Sequence, residues 1–362
     1  RARGELTLWA ATQKAFGLRA DLAEVLGLPE HHVRVITPDV GGGFGGKIPL
    51  MREDLLVAWL AITLGIPVKW ISTRMEDLVS TNHGRGLVYH AEAAADGEGH
   101  LLGLRVRILH TPGAYVQNTG LLLPLRAASY AAGPYRVRVV STEIVSVFTN
   151  TSTTGPLRAT GRPENAMMTE RVMDEIAAAL DLDPVEVRRR NLIPADAFPY
   201  QSPTGVTYDS GDYQRTMDRA LELANYAELR REQARARARG ELVGIGMALF
   251  VEMSGTMRWQ SATVRVERSG VVTVLTGSSP HGQGHETVWA QIAADRLGVP
   301  MTDVRVLYGD PSVAPHGTGT AGASGAPLAA PAVAVAADRV REKMVRIVAH
   351  RLESRIDDLE VK

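Results

Sequence analysis

The sequence contains no cysteine. A chain without thiols forms no disulfide, offers no thiolate to a metal and holds no cysteine-ligated iron–sulfur cluster of its own. Nor does it carry a surplus of charge, since Lys and Arg number 40 and so do Asp and Glu. That balance argues against nucleic acid or an anionic membrane as the main partner, because either demands a basic surface. No apolar run approaches the roughly 20 residues of a membrane-spanning helix. No Ser, His and Asp set carries a nucleophile signature. At 45% hydrophobic over 362 residues, the chain can still bury a full core, in one to three domains. It begins at Arg1 rather than Met and stops at Lys362 inside a helical pattern, so it reads as a piece of a longer protein. The lack of a leader segment therefore carries no message.

What the chain does have is glycine, in two runs that follow strand-like segments and precede helix-like ones. The first is Gly41-Gly42-Gly43-Phe44-Gly45-Gly46-Lys47, the second His281-Gly282-Gln283-Gly284-His285. Glycine lets backbone approach a ligand closely, and N–H groups at a helix N-terminus favour an anion, typically phosphate. Two such loops, some 240 positions apart, suggest one large phosphate-bearing cofactor gripped from two sides. A third stretch, Gly317-Thr318-Gly319-Thr320-Ala321-Gly322-Ala323-Ser324, reads either as a flexible loop or as an anion site lined by hydroxyls and free N–H groups.

Periodicity predicts a helix ending at Leu28, a strand over 33–37, a helix over 53–64 stopped by Gly65, and a strand over 67–72. A hairpin is expected around Asp96-Gly97-Glu98-Gly99, then a strand over 137–148. Helices follow over 164–180, 184–191 and, as one long element, 213–239, whose arginine-rich end reads as a solvated face. Gly240 marks a domain boundary. Beyond it strands are expected over 244–252, 261–267, 271–277 and 304–308, with helices over 285–297 and 333–352. The class is α+β, with domains at 1–240 and 241–362.

Gly41, Gly43 and Gly46 match the dinucleotide fingerprint G-x-G-x-x-G. A nicotinamide site also wants an acidic residue at the end of the next strand. Here Thr73-Arg74 stands there and Glu76 comes late. His281 and His285 have the spacing of a zinc pair, but the glycines between them disfavour a helix and no third ligand is near in sequence.

Several motifs, in order along nearly the whole chain, resemble the molybdenum-binding large subunit of the xanthine dehydrogenase, aldehyde oxidase and carbon monoxide dehydrogenase family. They are Pro38–Lys47 with Gly65–Trp70, Leu157–Glu164, Arg188–Leu192, Gly282–Thr287 and Gly317–Thr320. The resemblance implies two molybdopterin-binding domains, the second truncated. It implies a molybdopterin cofactor, in its cytosine dinucleotide form, with no protein side chain bound directly to the metal. Gln13 would hydrogen-bond an oxygen ligand of the molybdenum, and Arg158 would lie in the substrate pocket. Gly43, Phe44 and Gly45 would place backbone beside the metal. Gly282, Gln283, Gly284 and the stretch Thr320, Ala321, Gly322, Ala323 and Ser324 would hold pterin and phosphates.

The implied activity is hydroxylation of an aldehyde or an aromatic N-heterocycle with oxygen derived from water. Electrons would leave through a [2Fe–2S] small subunit and a FAD-binding medium subunit, in a dimer of heterotrimers. A cytoplasmic complex is expected, with periplasmic export of the assembled complex left open. Departures narrow the substrate. Ala159 stands where carbon monoxide dehydrogenase carries a cysteine, and Ile48 where xanthine dehydrogenases carry a purine-binding glutamate. The family's catalytic base, a glutamate in a Gly-Glu pair, has no match after Ser324, so the chain alone is expected not to turn over. A nicotinamide-dependent dehydrogenase and a carbon monoxide dehydrogenase-like subunit stand as alternatives.

Overall fold

The computed structural model describes residues 4–117, 119–257, 259–314 and 316–359. Contacts divide the chain into two compact units. Unit 1 is built from both ends of the sequence, 1–81 and 253–362, and unit 2 from 82–252.

Unit 1 opens with β1 (Leu6–Trp9), α1 (Ala15–Leu26) and β2 (Val33–Ile36). The strands pair in parallel with Leu6 opposite Val33. Parallel neighbours need a crossover, which α1 supplies. Leu6, Leu8, Val33 and Val35 meet Leu18, Leu22 and Ala58 in one buried cluster. The first glycine run follows β2. Then come α2 (Arg52–Leu64) and α3 (Arg74–Ser80), the latter started by a Thr73–Glu76 capping box. The strand expected over 67–72 joins no ladder among the described residues. Apolar alternation specifies an extended backbone but does not supply a partner strand.

Unit 2 begins with the expected hairpin, β3 (Leu87–Ala95) and β4 (Leu101–His110), antiparallel. The Asp96 carboxylate accepts from the backbone N–H of Glu98 and His100 and so holds the turn. After α4 (Leu122–Ser129), β5 (Val139–Ser146) pairs in parallel with β4. Helices α5 (Arg162–Leu180) and α6 (Pro184–Asn191) cover a core of Leu104, Val106, Ile108, Met173, Ile176 and Val187. A short ribbon of β6 (Tyr200–Gln201) and β7 (Thr207–Tyr208) precedes α7 (Tyr213–Leu223) and α8 (Tyr226–Ala238).

The sequence pattern predicts a single helix over 213–239, but the backbone breaks at Asn225, which adopts φ 49. Asparagine visits the left-handed region more readily than most residues. In α8 the exposed Arg231 and Arg235 pair with Glu228, the half-buried Arg230 pairs with Asp183, and Arg237 is exposed. The strand expected over 244–252 is extended yet unladdered among the described residues. Met247 and Leu249 pack on the unit 2 core.

The chain then returns to unit 1. β8 (Ala262–Val266) and β9 (Val272–Thr276) form an antiparallel hairpin, and β10 (Val304–Leu307) joins β9 in parallel across α9 (His285–Leu297). With α10 (Ala330–Leu352) these elements bury Val272, Val274, Trp289, Ala293, Val333 and Ala337. Unit 1 thus holds two βαβ crossovers. One glycine run leaves the carboxyl end of β2 and the other that of β9, where open α/β sheets bind ligands.

Unit 2 is held at its centre by a buried ion cluster. The Arg188 side chain is fully buried, its Nε donates to Glu170 Oε2 at 2.8 Å, and Asp174 lies 2.9 Å from its Nη2. Tyr135 donates to Glu170 Oε1, and burial followed by the Glu170 charge keep its hydroxyl protonated. Removing one partner of such a pair leaves an uncompensated buried charge. Arg188→Ala should therefore lower unfolding stability by about 3–5 kcal/mol. Arg171→Ala, which removes the exposed pair with Glu175, should change it by less than about 0.5 kcal/mol. Denaturant unfolding of the two variants checks this contrast.

Candidate functional site

Gln13 lies just past the carboxyl end of β1 and is 5% exposed. Its side chain joins two distant loops. Oε1 accepts the backbone N–H of Gly45 at 2.8 Å and that of Lys47 at 3.3 Å. Nε2 donates to the Thr320 carbonyl at 2.8 Å. The main chain repeats both links, with Gln13 N–H donating to Lys47 O at 2.8 Å and Thr320 N–H to Gln13 O at 2.9 Å. The amide oxygen therefore has its two acceptor directions filled, and one Nε2 proton remains to offer. This packing requires glycine at two positions. A Cβ on Gly43 would stand 2.6 Å from Gln13 Cδ, and one on Gly319 2.2 Å from the Gln13 carbonyl oxygen.

The second glycine run meets the first directly, because Gly42 N–H donates to His281 O at 2.9 Å. His281 is 6% exposed, and its Nε2 lies 3.2 Å from the Thr12 carbonyl. A carbonyl only accepts, so the ring proton sits on Nε2. The exposed Gln283 folds back on its own loop, its Oε1 accepting from His281 N–H and its Nε2 reaching His285 Nδ1 at 3.4 Å. Burial, then the nearby His281, hold His285 down to about 4, and burial lowers His281 as well. Both rings are neutral at pH 7. The two rings of the zinc-like pair have other partners, and no group of three His, Asp or Glu that could hold a metal occurs among the described residues.

The third stretch is anchored throughout. Thr320 Oγ1 donates to Ser279 O at 2.6 Å and lies 2.9 Å from Ser278 Oγ. Gly322 O accepts from Thr256 N–H at 3.2 Å, and Ala323 O from Gly255 N–H at 3.3 Å. The Ser324 hydroxyl donates to Ala321 O, and the residue is buried. Gln260 donates to Thr318 Oγ1 at 2.9 Å and to Gly319 O. Thr12, Thr256, Gln260, Ser278, Ser279 and the structural part played by His281 carry no motif of their own. Only the polar run Ser278-Ser279 before the second glycine loop hinted at them.

Gln13, Gly43, Phe44, Gly45, Gly282, Gln283, Gly284, Thr320, Ala321, Gly322, Ala323 and Ser324 all belong to unit 1. Phe44 is 60% exposed at φ 53. Arg158 belongs to unit 2, exposed in the turn before α5. Ala159 and Thr160 beside it adopt φ 72 and 38, strained values for residues with a Cβ. Such strain clusters at functional loops. Behind the turn, Arg162 donates from Nε to Glu252 at 2.7 Å.

Part of the exposed surface of the unit 1 loops is backbone, beside the exposed Phe44 and Gln283. Gly282, Gln283 and Gly284 are exposed, α9 begins without a side-chain cap, and a Cβ on Gly41 or Gly284 would meet nothing within 4 Å. Uncapped N–H groups at a helix start suit a phosphate. Small residues around them leave room for a flat ring system, so a phosphate-bearing pterin fits the donor set.

Comparison with known proteins agrees with that class of ligand. The chain belongs to the family of molybdenum-binding large subunits that includes xanthine dehydrogenase, aldehyde oxidoreductase and carbon monoxide dehydrogenase, since models described as molybdopterin cofactor-binding domain match residues 1–192 and 219–362. It is 37% identical to the 6-hydroxypseudooxynicotine dehydrogenase complex subunit gamma of Paenarthrobacter nicotinovorans, over 99% of this chain and 46% of that protein. It is 35% identical to the carbon monoxide dehydrogenase large chain of Afipia carboxidovorans, over 99% of this chain and 47% of that one. The crystal structure of quinoline 2-oxidoreductase from Pseudomonas putida 86 superposes with a TM-score of 0.93 at 37% identity, covering 99% of this chain and 47% of that one. The chain thus spans about half the length of the curated relatives it matches.

The nicotinamide alternative is not favoured. In a nicotinamide site the fingerprint loop runs straight into a helix. Here it ends at Gly46, while α2 starts at Arg52.

The neutral, half-buried His285 makes stability depend on pH. Unfolded, the ring takes a proton near 6.5; folded, it resists until about 4. The unfolded state binds more protons in that window, so stability is full above pH 6.5 and falls as pH drops towards 4. Melting temperatures measured between pH 4 and 7 should show this decline, and it should be shallower in His285→Gln.

Proposed function

We propose that this chain is the cofactor-binding part of a molybdenum hydroxylase that oxidises an aldehyde or an aromatic N-heterocycle with oxygen derived from water. The observation that carries the reading is Gln13, fixed by its side chain between the first glycine loop and Thr320. The names of two relatives, a 6-hydroxypseudooxynicotine dehydrogenase and a quinoline 2-oxidoreductase, support the heteroaromatic side.

When bound, the molybdenum cofactor supplies two-electron redox chemistry. The chain's residues hold and orient it. The N–H groups of Gly282, Gln283, Gly284 and the first turn of α9 would receive its phosphates. Thr320, Ala321, Gly322, Ala323 and Ser324 would line the rest, largely through their backbone, because the Thr320 and Ser324 hydroxyls are already engaged. The glycines of the 43–45 turn would bring backbone up to the metal, and Gln13 would offer its second Nε2 proton to an oxygen there. We assign Arg158 to the substrate pocket and the cofactor to the cytosine dinucleotide form.

With no cysteine in the chain, the electrons would pass to a [2Fe–2S] subunit and then to a FAD subunit, in a dimer of heterotrimers in the cytoplasm. No helix among the described residues is long and apolar enough to cross a membrane. No Gly-Glu pair follows Ser324, so on this reading the chain alone does not turn over.

Two outcomes test the proposal. Gly43→Val forces a side chain into Gln13, an overpacking of about 1–3 kcal/mol. That corresponds to roughly 5- to 150-fold weaker cofactor retention. Molybdenum and pterin content of the folded variant, measured against wild type, should show the loss; equal content would remove the loop from the site. Carbon monoxide oxidation should stay at background, because Ala159 offers no thiolate to copper, while an aromatic aldehyde or heterocycle is turned over. Robust copper-dependent carbon monoxide oxidation would contradict this.

A further inference from the structure

We propose that His281 is a positioning residue for Gln13, acting by a hydrogen bond from its Nε2 to the Thr12 carbonyl; the inference rests on the role given above to Gln13. His281 touches both the peptide preceding Gln13 and the first glycine loop. Its ring meets Thr12 O at 3.2 Å and its own carbonyl receives Gly42 N–H at 2.9 Å. Thr12 is itself buried, and the peptide after it is gripped on its other side, where Gln13 N–H reaches Lys47 O. The Thr12–Gln13 peptide plane is therefore set from two directions, by Lys47 and by His281.

Release of Thr12 O lets that plane rotate, and the Gln13 side chain follows. Groups that act at a reacting centre must be held within about 0.5 Å of their productive place. Filling volume is not enough for this task, since an aliphatic side chain would fill the space without donating. Burial also keeps the ring from exchanging its partner for water. The Lys47 charge further disfavours a second proton on the ring.

The test uses the geometry of amide mimics. Glutamine places its Nε2 near that of histidine, whereas asparagine mimics Nδ1. In the full-length protein, prepared with and without cofactor, His281→Leu and His281→Asn should behave alike and His281→Gln like wild type. Without cofactor, peptides spanning 10–18 and 41–47 should exchange amide hydrogens about five- to tenfold faster in the Leu and Asn variants, the size expected for one lost hydrogen bond. With cofactor, kcat should fall roughly tenfold or more while KM holds, and the molybdenum(V) EPR signal should shift.

Unchanged exchange in both peptides for His281→Leu would overturn the proposal. So would equal behaviour of the Asn and Gln variants, or faster exchange spread over the whole unit with a matching fall in melting temperature. A wild-type protein without molybdenum would refute the functional reading instead, and the cofactor-free exchange data would still decide the part played by His281.

Discussion

The hydrogen bonds of a single amide, that of Gln13, organise unit 1. Its partner Thr320 lies 307 positions away in sequence, and the second partner is the first glycine loop. Neither loop contains regular structure, and each would sample many conformations on its own. Tying both to one buried glutamine holds two flexible glycine-rich segments together as one cradle. The other contacts of the unit serve the same end. Thr37 N–H donates to Gly309 O, Arg34 pairs with Asp310, and Thr320 Oγ1 reaches Ser279 O. The first two link the amino-terminal βαβ crossover to the carboxyl-terminal one, and the third ties the 318–324 stretch to the segment after β9.

That arrangement explains why the middle of the chain can form a unit of its own. Unit 2 has a separate aliphatic core and a separate polar centre at Arg188, Glu170 and Tyr135. Asn191 adds a second lock, accepting from Leu101 N–H and donating to Gly99 O, so that α6 is fastened to the β3–β4 hairpin. The run Arg188–Leu192 is thus structural. The strained turn at Ala159 and Thr160 stands apart from this framework, and the residue assigned to the substrate lies beside it.

Much of this was legible in the sequence, for physical reasons that differ by element. Helices α2, α6 and α9 follow from apolar spacing closed by a glycine or opened by a proline, signals that are local. The hairpin at Asp96 is equally local. Partner choice is not, so the segments over 67–72 and 244–252 look like strands yet join no ladder among the described residues. The break at Asn225 lies between two good helical patterns with no glycine or proline to mark it. In the candidate site, glycine runs stand out because close approach leaves little alternative. The residues that buttress them, Gln260, Thr256 and His281, act through a few hydrogen bonds, most of them to backbone, and such bonds leave no spacing in the sequence. The domain division proposed at Gly240 follows a helix stop, whereas spatial units depend on contacts between distant segments.

The central claim is that three loops of unit 1 form a cradle for a molybdenum cofactor with a cytosine nucleotide. The most direct measurement is elemental and nucleotide analysis of the complete protein purified from its native source. The account predicts molybdenum together with an equimolar amount of CMP released by acid hydrolysis. A folded, intact protein that contains neither, and instead binds a nicotinamide nucleotide, would contradict it.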